Sequence, residues 1–583
     1  MAKPDSRLTE AGSAELREVL NRSRGILAFV GILSTFVNLL MLTGPMFMLQ
    51  IYGNVLTSRS EETLIALTVL VAFLYGLMGI LDHTRGRLLS RVGARFQSAL
   101  DKRVFDATLQ ANMRPALQGT PQRVRGVQDL ESVQRLLSSP VLSACFDVPF
   151  TPIFLAGLWF FHPWLGTLAM TGGGFLIILT LISTRMTRRP VIEAQTSSIL
   201  ANRMADSLQN DPEMVQSLGM QGTAFTRWYR LRRQALNKSL ASGDLVARFS
   251  ASTKSIRLFL QSAMLALGAF LVLRGELNPG AMIAGSILMG RALAPIEQAI
   301  GNWAVVQQGR KGWDSLALLL SQVPAETPRT SLPKPKAHLQ VKQLTVVPPG
   351  ESQAALRQVS FEVKPGQAIG VIGPSGAGKS SLARTISGVW KAAGGQIRLD
   401  GATLDQYGPD DLGLHIGYLP QRVELFEGTL AENIAGLQEN PDAEAVIAAA
   451  QKADAHKLIL SLPEGYDTKI DTQNSRLSGG QVQRIGLARA LFGDPALVIL
   501  DEPNSNLDNE GSVAANNAIK ALKAEGKIVM IMAHRPAAIQ ECELLLMLEN
   551  GNMRAFGPKD EVLRAVVQNH KDVKDKSTPG GVT

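Results

Sequence analysis

The two halves of the chain carry different patterns of apolar and polar residues. The first half contains long apolar stretches, and six of them are long enough, or nearly so, to cross about 30 Å of hydrocarbon as helices. These stretches are Gly25–Ile51, Leu64–Leu81, Pro140–Phe161, Trp164–Ile182, Ile256–Leu273 and Pro279–Trp303. A soluble protein with buried core helices is the alternative, but six such stretches in one half of a chain argue against it. The pattern therefore predicts an all-α transmembrane domain with six spans.

Two of the connections between these stretches are long and basic. Asp82–Ser139 holds 10 lysines and arginines and Ser183–Ser255 holds 11, whereas the short connections have almost none. By the positive-inside rule, the N-terminus and both long loops face the cytoplasm. Apolar residues at helical spacing over Leu88–Leu109 and Leu200–Leu218 predict helices that extend out of the membrane. Six crossings return the second half of the chain to the cytoplasm.

Several polar residues lie within or near the predicted spans, namely Asp147, Gln261, Arg291 and Glu297. Intramembrane charges usually face protein or water rather than lipid. They are therefore interpreted either as the polar lining of a translocation path or as structural pairs, such as Arg291 with Glu297. The sequence leaves both interpretations open.

Charge is also divided between the halves. The chain has 583 residues and a formal net charge of +9. Residues 1–330 contain 33 lysines and arginines against 21 acidic residues, or +12, and the remainder contains 26 against 29, or −3. The basic excess therefore belongs to membrane-proximal loops, and nucleic-acid binding is not expected. Two cysteines, Cys145 and Cys542, exclude a disulfide scaffold and a thiolate zinc site.

A proline-rich polar segment separates the two halves. After it, apolar strands alternate with helical segments, which predicts a mainly parallel sheet with crossover helices. The predicted organisation is a cytoplasmic N-terminal segment 1–24, a transmembrane domain 25–323, a linker 324–337, an α/β P-loop nucleotide-binding domain 338–570 and a disordered tail 571–583.

A phosphate-binding loop follows the predicted strand Ala368–Ile372 and leads into a helix from Ser381. Its residues match G-x-x-x-x-G-K-[ST], and they are Gly373, Pro374, Ser375, Gly376, Ala377, Gly378, Lys379 and Ser380. In this context the backbone N–H groups surround phosphates, and the helix N-terminus adds positive potential. Lys379 would reach the β- and γ-phosphates, and the Ser380 hydroxyl would bind Mg²⁺. The motif predicts binding of ATP with Mg²⁺.

Acidic residues end a second apolar strand in the same domain. Asp501 and Glu502 follow the run from Ala496 to Leu500. Asp501 suits Mg²⁺, and Glu502 is placed to orient or deprotonate the attacking water. His534 follows the apolar strand from Ile528 and is predicted to touch the γ-phosphate. The sequence thus predicts Glu502 and His534 as catalytic residues.

Four further motifs resemble those of the ABC transporter superfamily. The signature motif is matched by Leu477 with Ser478, Gly479, Gly480 and Gln481, the Q-loop by Gln421, the D-loop by Ser505–Asp508 and the H-loop by Ala533-His534-Arg535. The resemblance covers the whole chain and implies the half-transporter layout of exporters. It implies that Gln421 contacts nucleotide and Mg²⁺, and that Asp508 belongs to the D-loop. It also implies a homodimer in which Ser478 and Gly480 of one copy close on ATP at Lys379 of the other.

Three segments resemble those of type I secretion ATPases, and the resemblance is closest to the PrtD-like group. These segments are Met46–Tyr52, Val55–Ser60 and Asp501–Asp508. This resemblance implies a multi-pass protein of the bacterial inner membrane, surrounded by lipid, with its N-terminus and ATPase domain in the cytoplasm. It implies work with a periplasmic adaptor and an outer-membrane channel. The implied cargo is an unfolded protease or calcium-binding repeat protein with a C-terminal signal.

Two other functions remain as alternatives. One is a lipid or small-molecule exporter of the same architecture. The other is a regulator that binds ATP without useful turnover, and the intact Lys379, Asp501, Glu502 and His534 argue against it. The six predicted spans exclude a soluble nucleic-acid ATPase.

Overall fold

Two compact units make up the chain. The computed structural model describes residues 6–113, 125–325, 332–470, 477–504, 509–533 and 536–565. The first unit comprises Met1–Asn112 with Arg123–Ala325, and the second comprises Met113–Gln122 with Glu326–Thr583. Each unit contains its own buried apolar clusters.

The described part of the first unit is helical. Its α-helices are α1 Ser6–Asn21, α2 Arg24–Leu40, α3 Thr43–Gln50, α4 Leu56–Ser58, α5 Glu61–Met113, α6 Gly126–Leu137, α7 Pro140–Asp147, α8 Thr151–Phe161, α9 Pro163–Asn210, α10 Pro212–Ser217, α11 Gln221–Leu273, α12 Pro279–Gly301 and α13 Trp303–Gln322. A π-helical turn, Ile51–Val55, joins α3 to α4. This unit agrees with the predicted all-α class.

Five stretches among the described residues are long and apolar enough to cross a membrane. They are Arg24–Ser58, Glu61–Met113, Pro140–Phe161, Pro163–Asn210 and Gln221–Leu273. The sixth predicted span is the 23-residue helix α12, which is not one of these five. The presence of a sixth crossing therefore stays a prediction.

The long loops are continuous with the spans. Helix α5 has 53 residues, or about 80 Å at 1.5 Å per residue, which is far more than a bilayer requires. Helices α9 and α11 pack side by side, and a Cβ on Gly172 would lie 2.6 Å from a Leu260 methyl group. The predicted helices in both loops are confirmed over the described residues. In the second loop the helix is interrupted at Asp211, which lies between α9 and α10.

The N-terminal helix α1 packs against α13. Leu16 is fully buried in a cluster that also contains Phe96, Leu130 and Leu316. The Gly12 backbone N–H donates to the Ser321 hydroxyl at 2.8 Å. The predicted polar N-terminal segment therefore contains an amphipathic helix with one face in the core of the first unit.

The second unit is an α/β domain. Its strands are β1 Leu339–Val346, β2 Leu356–Val363, β3 Ala368–Ile372, β4 Gly394–Leu399, β5 Ala402–Thr403, β6 Ile416–Leu419, β7 Gly428–Thr429, β8 Lys469–Ile470, β9 Leu497–Asp501, β10 Ile528–Met532, β11 Leu544–Glu549 and β12 Asn552–Pro558. Its α-helices are α14 Lys379–Ile386, α15 Pro409–His415, α16 Leu430–Ile434, α17 Ala443–Lys452, α18 His456–Leu460, α19 Gly479–Leu491 and α20 Asn509–Ala524.

The main sheet has the order β12-β11-β3-β10-β9-β6 and is parallel except for β12. Strands β9 and β10 are buried along their whole length, as expected when helices cover both faces of a parallel sheet. This confirms the predicted sheet. A second, antiparallel sheet of order β2-β1-β4-β5 also forms. In the parallel sheet, the carboxyl ends of β3, β9 and β10 share one edge, where the phosphate-loop motif and the acidic pair lie.

Candidate functional site

The loop between β3 and α14 has the backbone that its glycines predict. Gly373, Gly376 and Gly378 have φ values of 153°, 80° and 101°, in the region that L side chains rarely adopt. A Cβ on Gly378 would lie 2.7 Å from the Ala355 carbonyl oxygen, and one on Gly373 would collide with the Leu548 carbonyl oxygen. These two positions therefore require glycine for space as well as for conformation.

Lys379 begins α14, and its side chain is buried under the loop. Its Nζ donates to the Gly373 carbonyl at 2.8 Å and to the Pro374 carbonyl at 2.9 Å. Burial lowers the pKa of Lys379, while the nearby Glu502 and Asp501 carboxylates raise it. The ammonium is thus held by two neutral oxygens at the position where a phosphate would offer charged ones.

Asp501 ends β9 and is 3% exposed. Burial raises the pKa of this carboxyl, a hydrogen bond from Ser380 lowers it, and Glu502 raises it. A carboxylate and a hydroxyl oxygen therefore meet at the start of α14. Oxygen ligands of this kind are the ones Mg²⁺ prefers, so the side chains present fit the predicted metal.

Glu502 follows directly in a left-handed conformation, with φ of 53°. Its backbone N–H donates to the Met532 carbonyl on β10 at 3.1 Å, which fixes the turn after β9. The Gln421 amide, two residues after β6, donates to the Glu502 carboxylate at 3.2 Å. The fold therefore brings together Lys379, Ser380, Asp501, Glu502 and Gln421, which come from three separate stretches of sequence.

The signature residues cap another helix. Ser478 is the N-cap of α19: its hydroxyl accepts from the Gln481 N–H at 3.3 Å, and the Gln481 side chain accepts from the Ser478 N–H at 2.8 Å. This capping box stabilises the start of α19. Gln481 thus has a structural role that the sequence analysis did not assign. Two predicted site residues, Asp508 and His534, lie outside the described residues.

The polar residues of the first unit form pairs that the sequence did not predict. Asp147 accepts from Arg85 at 2.6 Å and from Asn38 Nδ2 at 2.7 Å. Glu297 pairs at 3.3 Å with Arg257 rather than with Arg291. For these two acidic residues the structure favours structural pairing, and the partner of Glu297 is Arg257 instead of the suggested Arg291. Arg85 lies just beyond a predicted span, and the requirement of a buried carboxylate for a cation is the signal that could have identified it.

Comparison with known proteins identifies the family. Residues 356–505 match the ABC transporter model, and residues 27–294 match the ABC transporter transmembrane region. The chain is 43% identical over 556 residues to the type I secretion system ATP-binding protein PrsD of Rhizobium meliloti, covering 95% of each protein. The chain belongs to the type I secretion group of the ABC transporter family. It is an ATP-binding exporter and an ATPase.

More distant relatives agree with this assignment. The leukotoxin translocation ATP-binding protein LktB of Bibersteinia trehalosi is 27% identical over 539 residues, which cover 91% of this chain and 75% of LktB. A bacterial Atm1-family ABC exporter solved with ATP bound aligns over 96% of this chain and 99% of its own, with a TM-score of 0.75 and 19% identity. The structural likeness at that identity shows the fold.

Proposed function

We propose that the chain is the inner-membrane ATPase of a type I secretion system and moves an unfolded polypeptide out of the cytoplasm. The supporting observation is end-to-end similarity to PrsD, combined with an intact set of ATP-site residues. In this proposal two copies enclose two ATP molecules, and Ser478 and Gly480 of one copy close on the phosphates held by the other. A single nucleotide-binding domain in the chain makes a homodimer the simplest assembly.

In this scheme, ATP binding changes the hydrogen-bond partners of the Lys379 ammonium. When ATP enters, the ammonium leaves the Gly373 and Pro374 carbonyls for phosphate oxygens, which form stronger, charge-assisted hydrogen bonds. Glu502 gives up its contact with Gln421 and accepts a proton from the attacking water. The water oxygen then bonds to the γ-phosphorus while the bond to the bridging oxygen of the β-phosphate breaks, and ADP leaves. The proposal keeps the predicted contact of His534 with the γ-phosphate.

Ser380, Asp501 and Gln421 would hold Mg²⁺. Bound there, the ion would neutralise charge on the phosphates. The Ser380 hydroxyl already donates to the Asp501 carboxylate, so these two side chains need little rearrangement to face one ion.

The proposed cargo is a protease or calcium-binding repeat protein with a C-terminal signal, which passes through a periplasmic adaptor and an outer-membrane channel. The test uses a Gram-negative host that supplies an adaptor, an outer-membrane channel and a secreted Gly/Asp-repeat protein with a C-terminal signal. Wild-type chain should export the full-length cargo, and should not export the same cargo without its C-terminal segment. Removal of the adaptor should also stop export.

Glu502→Gln should stop export at equal expression, and Glu439→Gln, an exposed position of the same domain, should not. Failure of signal-dependent export, together with ATPase stimulation by lipid and no need for an adaptor, would instead support a lipid or small-molecule exporter.

A further inference from the structure

An arginine on α19, the helix that begins at the signature residues, binds the segment that follows Gln421. Arg489 lies near the end of α19. Its Nε donates to the Asn433 carbonyl at 2.7 Å, its Nη2 to the Asn433 side-chain oxygen at 2.8 Å and its Nη1 to the Glu424 carbonyl at 3.0 Å. One guanidinium therefore holds two points of the chain that are nine residues apart.

The partners of Arg489 are all neutral. Among the described residues no carboxylate pairs with it, and burial lowers the pKa of Arg489. Its guanidinium also lies 5.5 Å from the centre of the Phe426 ring. A partly desolvated cation without a counter-ion depends on the geometry of its oxygen acceptors, so it fixes their positions more closely than a surface ion pair does.

Asn433 completes the connection from the other side. It is fully buried, its Nδ2 donates to the Phe426 and Thr429 carbonyls at 2.9 and 3.0 Å, and its Oδ1 accepts from the Phe426 N–H at 2.9 Å. The carboxamide thus bonds to the backbone on both sides of Phe426. The segment 424–433 is consequently tied to α19 through one arginine–asparagine pair.

One end of this connection lies beside Gln421, and the other lies on the helix that carries the signature residue Ser478, which is proposed to close on the ATP of the other copy. The segment begins three residues after Gln421, whose amide donates to Glu502. The N-cap of α19 is Ser478, and Gly486 packs so closely on the same loop that a Cβ there would lie 2.6 Å from a Val423 methyl group. A helix of 13 residues, about 20 Å long, therefore joins the signature residues to the loop that carries Gln421.

We propose that Arg489 is a positioning residue for ATP hydrolysis, which through Asn433 and the Glu424 carbonyl holds the loop after Gln421 so that Gln421 meets Glu502. This inference rests on the proposed role of Glu502 as the catalytic base. In this role Arg489 makes no contact with ATP. Substitution of Arg489 should therefore lower the rate of ATP turnover far more than the affinity for ATP.

Arg489→Lys is the first test, because a lysine keeps the charge but cannot reach three acceptors with a planar fork. In purified full-length protein, kcat for ATP should fall about 10- to 100-fold, the range in which small misplacements of a catalytic group act. KM for ATP and Tm should change little. Hydrogen–deuterium exchange of residues 422–429 should become faster. Arg484→Lys, on the same helix with an ion pair to Asp454, is the matched control and should behave as wild type.

A second variant covers the case in which Arg489→Lys folds poorly. Asn433→Asp keeps the oxygen that accepts from Arg489 but loses both donors to the Phe426 and Thr429 carbonyls. It should also lower kcat at constant KM. The double variant should be no slower than the slower single variant, since both act on one loop.

The proposal is wrong if both variants turn over ATP as fast as wild type, or if kcat falls only in proportion to the unfolded fraction. Additive losses in the double variant would also overturn it. Glu502→Gln run in parallel separates the two hypotheses. If Glu502→Gln abolishes turnover and Arg489→Lys does not reduce it, the positioning role fails and the role of Glu502 stands.

Discussion

Charged side chains in the two units have different kinds of hydrogen-bond partners. In the first unit, Asp147 bonds at 2.6 Å to Arg85 and at 2.7 Å to Asn38, and Arg85 also pairs at 2.7 Å with Asp82. In the second unit, Lys379 rests on two neutral carbonyls, and the Gln421 amide lies 3.2 Å from Glu502.

This difference separates structural charges from working ones. A buried carboxylate and guanidinium that satisfy each other have no reason to accept a new partner. A buried ammonium on carbonyl oxygens gains by moving to a phosphate, and a carboxylate bonded to an amide can exchange that amide for water. For Asp147 and Lys379, the resting partners therefore agree with a structural role for the first residue and with the proposed phosphate-binding role for the second.

Glu502→Gln should give the largest effect on activity. The amide cannot accept a proton from water, so ATP turnover should fall about 10²- to 10⁴-fold, the contribution typical of a general base. ATP binding and Tm should stay near wild type, because glutamine keeps the shape of the side chain and an oxygen that can accept from the Gln421 amide. Steady-state ATPase assays with equilibrium ATP binding measure both, with Glu439→Gln as the control. Turnover near wild type would remove Glu502 as the base.

Asp147→Ala should give the opposite result, a loss of stability with the ATP site intact. It removes the more buried of the two carboxylates that pair with the Arg85 guanidinium, which is 7% exposed, and leaves Asp82 as the other. Breaking a buried pair from one side costs about 3–5 kcal/mol. Thermal unfolding in detergent measures the loss, and Asp101→Ala on the exposed face of α5 serves as the control.

Equal Tm values for Asp147→Ala and Asp101→Ala would show that the Arg85 pair is not structural. In that case the polar lining of a translocation path would again be the better interpretation of Asp147.

The sequence predicted the parts of the site that local chemistry defines. Three glycines with a lysine after a buried strand need one backbone shape, and Asp501 at the end of another buried strand must reach the same sheet edge. The order and contacts of β3, β9 and β10 confirm this. Five of the six predicted spans correspond to helices long and apolar enough to cross a membrane, because the length of an apolar stretch is set by the thickness of the bilayer.

Pairings between distant residues could not be predicted. Asn38 and Asp147 are 109 positions apart, and Arg489 and Asn433 are 56 apart. Nothing local distinguishes Arg489 from Arg484 on the same helix, because the difference lies only in which loop packs against each face. The docking of α1 on α13 has the same cause: an amphipathic pattern shows that one face is buried, but not against which helix.

Lys379→Ala should have a smaller effect than the first two variants. Removing the ammonium deletes a charge-assisted hydrogen bond to phosphate worth about 1.5–3 kcal/mol, so the Kd for ATP should rise about 10- to 100-fold. Stability should hardly change, because the lysine leaves behind two loop carbonyls that water can reach. Lys391→Ala, at an exposed position after α14, is the control for nucleotide-binding measurements. Unchanged affinity would remove Lys379 from the phosphate site and weaken the contrast between exchangeable and fixed charges.

The smallest predicted effect concerns a half-buried acid whose neighbouring cations only partly offset its desolvation. Asp129, on α6 of the first unit, has its pKa raised from 3.8 to about 6 by burial, against the lowering effect of Lys311 and Arg125. Because the folded protein binds this proton more tightly than the unfolded chain does, the stabilisation is complete below pH 3.8. It is lost as the pH rises through about 6.

Asp129→Asn should therefore raise Tm by a few degrees above pH 6, at about 2–4 °C per kcal/mol for a domain of this size. It should change Tm little near pH 4. Asp106→Asn, exposed on α5, should shift Tm at neither pH. An equal shift for Asp129→Asn at both pH values would show that Asp129 does not titrate in this range, so that the first unit holds its buried acids as ionised partners throughout.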